Sequence, residues 1–206
     1  MIVVIDYGMG NLRSVQKAGE RLGKKLRVTD SAGIIKKAEK IIFPGVGNFR
    51  QAVKELKERK IFDVLVKRIN AGVPFLGICL GMQLLLDESE EAPGVRGLSV
   101  LKGKVRKFKD KKIIVPHMGW NQIRVQGTGN RQQNKLFRGI PDSSYFYFAH
   151  SYYCDITEKD AVLATTKYGV NFTSACCKKN IWGVQFHPEK SQRLGLKLFK
   201  NFLNLC

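Results

Sequence analysis

Acidic residues and histidines are scarce in this chain. Asp and Glu number 17 against 36 Lys and Arg, giving a formal net charge of +19, and there are only three histidines. Such an excess of positive charge invites a nucleic-acid or acidic partner. The basic residues are scattered, however, through Arg21 to Arg27, Lys36 to Lys40, Lys54 to Lys60, Lys102 to Lys112 and Lys178 to Lys179. No nucleic-acid-binding motif accompanies them, and the aromatics do not interleave with them as a stacking platform requires. They read as solvated faces, and specific nucleic-acid binding is not expected. No uncharged apolar run approaches bilayer length, and Met1-Ile2-Val3-Val4-Ile5-Asp6 has neither a basic n-region nor a cleavage site, so no membrane span or secretory signal is expected. The five cysteines, Cys79, Cys154, Cys176, Cys177 and Cys206, make an odd count without framework spacing, which suits a reducing cytoplasm. There is no Walker A sequence. The glycines of Asp6-Tyr7-Gly8-Met9-Gly10-Asn11 fall short of G-x-G-x-x-G because Arg13 takes the last position. Neither a cofactor nor a metal is expected.

What the chain does have is concentrated in Val73 to Asp87, VPFLGICLGMQLLLD. Pro74 to Ile78 reads as a short buried strand, and Leu80 to Leu86 continues apolar at helical spacing, so Cys79 falls where a strand turns into a helix. Gly77-Ile78-Cys79-Leu80-Gly81 has the form of a nucleophile elbow with cysteine in place of serine. Glycines two residues either side permit a strained turn, and the helix amino end favours thiolate over thiol. A cysteine nucleophile needs a base distant in sequence and a third group to orient it. His187, directly after the apolar stretch Trp182 to Phe186, is the best of the three histidines. Pro188 biases it towards an extended conformation, and Glu189 can then lie on the imidazole side and accept its other N–H. A Cys79, His187, Glu189 triad follows. A buried structural cysteine and a lone satisfied histidine are the competing readings, and their combination disfavours both.

Around this core, strands at Ile2 to Ile5, Lys25 to Val28 and Lys40 to Phe43 alternate with helices at Leu12 to Leu22, capped by Asn11, and at Arg50 to Arg59 and Ile61 to Asn70. A helical turn is expected at Ile34 to Lys37. The alternation predicts an α/β fold with a parallel sheet and helices on both faces. The loop Pro44-Gly45-Val46-Gly47-Asn48-Phe49 and the elbow would both lie beyond the carboxyl ends of strands and face one cleft. Glu88 to Gly94 reads as an acidic loop. From Leu98 the pattern changes to short alternating segments at Val100 to Phe108, Ile113 to Val115, Trp120 to Val125, Ser144 to Ala149, Ala161 to Thr166 and Ile181 to Gln185, an antiparallel or mixed extension of the sheet. Gly127 to Asn134 reads as a polar loop and Gln192 to Leu205 as a closing amphipathic helix. At 206 residues and 44% hydrophobic, with the proposed triad spanning most of the length, residues 1–206 are expected to form a single domain.

Gly77-Ile78-Cys79-Leu80-Gly81-Met82-Gln83 together with His187-Pro188-Glu189 resembles the class I (triad) glutamine amidotransferases. PGVGNF, PHMGWN at Pro116 to Asn121, His150-Ser151-Tyr152 and HPEKS at His187 to Ser191 make it similar, over essentially the whole chain, to the glutaminase subunits of imidazole glycerol phosphate synthase in histidine biosynthesis. The resemblance implies a three-layer, flavodoxin-like α/β fold with a central, mostly parallel sheet. It implies that Cys79 attacks the side-chain amide of glutamine, that His187 protonates the departing ammonia, that Glu189 orients His187, and that water hydrolyses the glutamyl thioester. It implies oxyanion N–H groups at Val46 and Leu80, and glutamine-binding positions at Gly47, Gln83, Ser151 and Tyr152. It further implies an interface at Asn11, Trp120 and Lys190 with a cyclase (β/α)8-barrel subunit in a heterodimer, which receives the ammonia and makes imidazole glycerol phosphate and AICAR.

The triad and cleft leave no room in the chain for a domain that uses the ammonia, so a partner chain is expected on chemical grounds too. A further expectation is that the isolated subunit is a poor glutaminase, because Gly45 and Gly47 permit a peptide flip in the loop. Three rivals remain. A paralogue would feed ammonia to another amination, such as surface-sugar synthesis. Protease-like or deglycase-like cysteine proteins of similar fold carry histidine directly after the nucleophile, where this chain has Leu80. A non-catalytic basic module would be indifferent to loss of Cys79.

Overall fold

Three of the first four strands are apolar on both sides, as a sheet covered on both faces demands. In β1 (Ile2–Ile5) Val3 and Ile5 join one core cluster while Val4 joins the other. The same split recurs in β3 (Lys40–Gly45), where Ile41 and Phe43 oppose Ile42, and in β4 (Phe75–Cys79), where Phe75 opposes Leu76 and Ile78. With β2 (Leu26–Thr29), these strands pair in parallel in the order β2-β1-β3-β4. Helices α2 (Ala32–Ile35), α3 (Phe49–Glu58) and α4 (Phe62–Asn70) cover one face through Ile35, Leu56, Leu65 and Ile69. The opposite face is covered by α1 (Leu12–Arg21) and the last helix, through Val15, Leu198, Phe199 and Phe202. The three-layer arrangement expected from the alternation is thus present. The computed structural model describes residues 1–126 and 135–206; the polar loop expected at Gly127 to Asn134 lies outside the described residues.

After β4 the chain departs from expectation. The apolar run Leu80 to Leu86 is helical only over α5 (Leu80–Gln83). Leu84, Leu85 and Leu86 are all fully buried, so no polar face exists for a longer surface helix. The chain turns there instead, and Leu84 and Leu85 carbonyls accept from Leu98, Val100 and Leu101 N–H groups. The acidic stretch contributes the short β5 (Glu88–Ser89), beside β6 (Gly103–Lys107). β7 (His117–Gln122) is followed by β8 (Arg124–Val125), and β7 pairs antiparallel with β9 (Tyr145–His150) in a small second sheet. Phe146 and Phe148 of that sheet enter the core, while Met118, Trp120 and Tyr145 are exposed on its other side. The strand expected at Ile113 to Val115 is absent, and Ile114 is 81% exposed.

The antiparallel extension consists of β10 (Tyr152–Ile156), β11 (Val162–Tyr168) and β12 (Val170–Lys178), joined to the parallel half through β13 (Ile181–Val184). β13 runs parallel to β4 and antiparallel to β12, so it is the seam between the two halves. The chain closes with α6 (Gln192–Leu205), at the expected bounds.

Candidate active site

The site forms at the carboxyl ends of three adjacent strands, β3, β4 and β13. Register sets its geometry. Gly45 of β3 lies directly across from Cys79 of β4, so the next residues, Val46 and Leu80, fall side by side. On the other flank Val184 of β13 pairs with Ile78, and one step further brings Gln185 beside Cys79. Cys79 itself has φ 54° and ψ −109°, a strained conformation for a residue with a side chain. The flanking glycines explain how the strain is held. A Cβ on Gly81 would lie 1.8 Å from the carbonyl oxygen of Phe43, and one on Gly77 would meet the Gly81 backbone at 2.7 Å. Gly45 is equally confined, since a Cβ there would strike the Tyr7 hydroxyl at 2.1 Å.

The three candidate triad residues converge although 108 positions separate Cys79 from His187. His187 is extended, as Pro188 requires, and Pro188 to Lys190 then make a single 3-10 turn that swings Glu189 back under the ring. His187 Nδ1 donates to Glu189 Oε1 at 2.7 Å, with both side chains almost fully buried. Its Nε2 is buried and meets no partner at full hydrogen-bond geometry among the described residues; its interaction is with the Cys79 sulfur. Burial alone would lower the imidazole pKa, but the Cys79 and Glu189 charges outweigh it and raise it, favouring the imidazolium. Ser191 anchors His187: its hydroxyl donates to the His187 carbonyl at 2.6 Å and accepts from Tyr147 N–H at 3.0 Å. The His187 N–H in turn donates to the Tyr147 carbonyl at 2.8 Å.

α5 is a single turn, shorter than the helix expected over Leu80 to Leu86, so its dipole is weak. The other cysteines are all free, and burial pushes their thiols up, Cys177 to about 12 and Cys206 to about 11. They are inert thiols at neutral pH.

A cleft of about 280 Å³ opens at Cys79, a volume suited to a small ligand. Val46, Gly47, Leu80, Gln83, Ser151 and Tyr152 all line it, as expected. Glu91, Met118 and His150 line it too, beyond the positions expected from the sequence. Glu91 had been placed in an acidic loop; one of its oxygens accepts from the Phe49 N–H at 2.8 Å, which fixes a carboxylate at the cleft wall. No residue spacing signals that. Gln185, which the β4–β13 register brings beside Cys79, carries no such signal either, because the chain bends at Gln185 and Phe186 between β13 and His187.

The remaining expected residues lie outside the cleft. Trp120 is 47% exposed and sits edge-on to Tyr147, and Lys190 Nζ lies 5.6 Å from the same ring, so the two share one surface patch. Asn11 caps α1, its side chain accepting from Ser14 N–H, and α1 packs against the Pro188–Lys190 turn. Among the described residues no group of His, Cys, Asp and Glu could hold a metal ion, and no helix is long and apolar enough to cross a membrane.

A strained cysteine on a strand-to-helix elbow, facing a carboxylate-oriented histidine, fits the glutamine amidotransferase class-I family model, which matches residues 3–205. The chain belongs to that family. Its relatives include imidazole glycerol phosphate synthase subunit HisH of Moorella thermoacetica, 49% identical over 98% of this chain and 93% of the relative. The HisH subunits of Pyrococcus furiosus (47%, 99% of this chain, 98% of the relative) and Methanocaldococcus jannaschii (46%, all of both chains) are similar throughout. Among solved structures, a glutamine amidotransferase matches with TM-score 0.75 at 22% identity, covering 100% of this chain and 98% of that one. PurLQS from Thermotoga maritima matches at 0.74 and 21%, covering 98% and 97%. At such identities these two speak for the fold alone.

Proposed function

We propose that this family member is the glutamine-hydrolysing subunit of an imidazole glycerol phosphate synthase, acting in histidine biosynthesis. The observation that carries the reading is the elbow cysteine held at positive φ beside a buried His187–Glu189 pair, at the end of a cleft. Relatives named for that synthase along the full chain favour it over a paralogue serving another amination.

In this reading glutamine enters the cleft with its side-chain amide at Cys79. The thiolate attacks the amide carbon, and the backbone N–H groups of Val46 and Leu80, side by side by register, receive the developing oxyanion. The imidazolium of His187 protonates the leaving nitrogen, the C–N bond breaks, and ammonia departs from a glutamyl thioester. Water then gives a proton to His187 and attacks the thioester, releasing glutamate and restoring the thiolate–imidazolium pair. Gly47, Gln83, Ser151 and Tyr152 hold the amino-acid end, and Glu91 is a counter-charge for its ammonium group. No cofactor takes part. One domain does this work, and the ammonia passes to a cyclase (β/α)8-barrel partner in a cytoplasmic heterodimer, docked across the Trp120–Tyr147–Lys190 patch and Asn11.

The test is glutamate release from glutamine, with and without the cognate cyclase and its substrate. The expected result is slow release alone, strong stimulation by the loaded partner, and loss of about 10⁴-fold or more in Cys79→Ala. Retention of activity in Cys79→Ala would overturn the reading.

A further inference from the structure

Behind the cleft, four buried polar side chains, His117, His150, Gln83 and Gln185, form a connected chain whose hydrogen bonds have a determined direction. It starts at Asn121, whose Oδ1 accepts from the Gln122 N–H at 2.8 Å while Nδ2 donates to the Lys167 carbonyl at 3.2 Å, which fixes the amide's orientation. Nδ2 is also 3.1 Å from His117 Nε2, so that nitrogen must be the acceptor. His117 Nδ1 then carries the proton and donates to His150 Nε2 at 3.0 Å. His150 Nδ1 in turn donates to the Tyr152 carbonyl at 2.8 Å. Both rings are neutral in this arrangement, in keeping with burial, which lowers His117 to about 4 and His150 to about 3.

The Tyr152 carbonyl also accepts from Gln83 Nε2 at 2.9 Å. That contact turns the Gln83 amide so that Nε2 also donates to Gln185 Oε1 at 3.2 Å, and the Cys154 thiol, 3.8 Å away, supplies a second donor to the same oxygen. With Oε1 committed, Gln185 can only present Nε2 to its other neighbour, the Cys79 sulfur at 3.7 Å. Reversing the amide would set two donors against Nε2 and an oxygen lone pair against the thiolate. Gln185 is fully buried, so water offers no alternative partner.

We propose that Gln185 is a positioning residue for the nucleophile, donating through Nε2 to the Cys79 sulfur with its orientation enforced by Gln83, which the Tyr152 carbonyl holds, and by the Cys154 thiol. The inference rests on the reading of Cys79 as the nucleophile. It supplies what the one-turn helix after Cys79 does not, a directed donor on the thiolate from the side opposite Gly45.

The experiment uses the chain with its cyclase partner and compares wild type with Gln185→Met, which keeps the volume and removes the donor. Glutamine kinetics are measured, together with the pH dependence of inactivation by iodoacetamide, followed as loss of glutaminase activity so that only Cys79 reports. The expected result is kcat lowered about tenfold with KM within about twofold, and an inactivation midpoint moved up by roughly one pH unit. Gln185→Glu, which turns an oxygen towards the sulfur, should move the midpoint further and serves if the methionine variant fails to fold. A wild-type midpoint in a folded variant would overturn the proposal, whatever happens to KM. Activity surviving in Cys79→Ala would instead overturn the reading beneath it, so the two failures are distinguishable.

Discussion

On the nucleophile side of the cleft, backbone lies against backbone: Gly77 on Gly81, Gly81 on the Phe43 carbonyl, Gly45 against the Tyr7 hydroxyl, with Cys79 held at positive φ among them. On the base side, position is set by hydrogen bonds between side chains: His187 on Glu189, Ser191 on His187 and Tyr147, Gln185 on Gln83, His150 on His117. The first wall belongs to the parallel half of the main sheet and the second to β13, the turn that follows it and the small β7–β9 sheet, and they meet at the β4–β13 seam. Close packing is intolerant of added volume, whereas a hydrogen-bonded wall tolerates isosteres and fails when a donor or charge is lost.

The comparison breaks most visibly on the nucleophile side. Gly81→Ala, which drives a methyl into the Phe43 carbonyl, should lower folding stability by about 4 kcal/mol, read as a fall in the denaturant midpoint; an unchanged midpoint would show that the elbow is not sterically locked. On the base side Glu189→Gln should leave the fold standing and lower kcat by about 10²–10³-fold, because the amide cannot stabilise the imidazolium.

The pH dependence of that variant has a definite sign. In the wild type the His187 pKa is raised, so the pair stabilises the fold fully below the ordinary histidine range, and that stability is lost as pH rises through the raised value. Removing the Glu189 charge lowers that value, so the alkaline limb of kcat should move to lower pH. An unmoved limb would detach Glu189 from His187.

The smallest effect comes from a side-chain hydroxyl packed into the sterically built wall. The Tyr7 hydroxyl is buried with no hydrogen-bond partner among the described residues, and burial raises its pKa. Tyr7→Phe should therefore raise stability by about 1 kcal/mol in thermal unfolding. A loss would reveal a bond that the hydroxyl makes to the glycine loop.

The two walls also differ in how far the sequence discloses them. Strands covered on both faces are continuous apolar runs, so the first, third and fourth strands are readable, as are the amphipathic helices packed on them, although β3 runs on through Pro44 and Gly45, expected in the loop, and β4 covers Phe75–Cys79 in place of Pro74 to Ile78. β12, the longest strand, is hidden because Asn171, Thr173 and Ser174 interrupt its apolar pattern, and β10 because its alternation begins inside the His150-Ser151-Tyr152 corner. The run after Cys79 misleads for the opposite reason: three consecutive buried leucines satisfy helical spacing and a buried turn equally well. In the site, Cys79, His187 and Glu189 are legible because local backbone chemistry constrains each. Glu91 is invisible, since its position depends on the N–H of Phe49, 42 residues away.

The most direct measurement is intact-mass and peptide mapping of the complex after reaction with a glutamine analogue bearing an electrophile at the amide carbon. The expected result is a single adduct on Cys79, abolished in Cys79→Ala, because the other four cysteines are held as thiols outside the cleft. An adduct on any of those four, or turnover that continues with Cys79 unmodified, would contradict it.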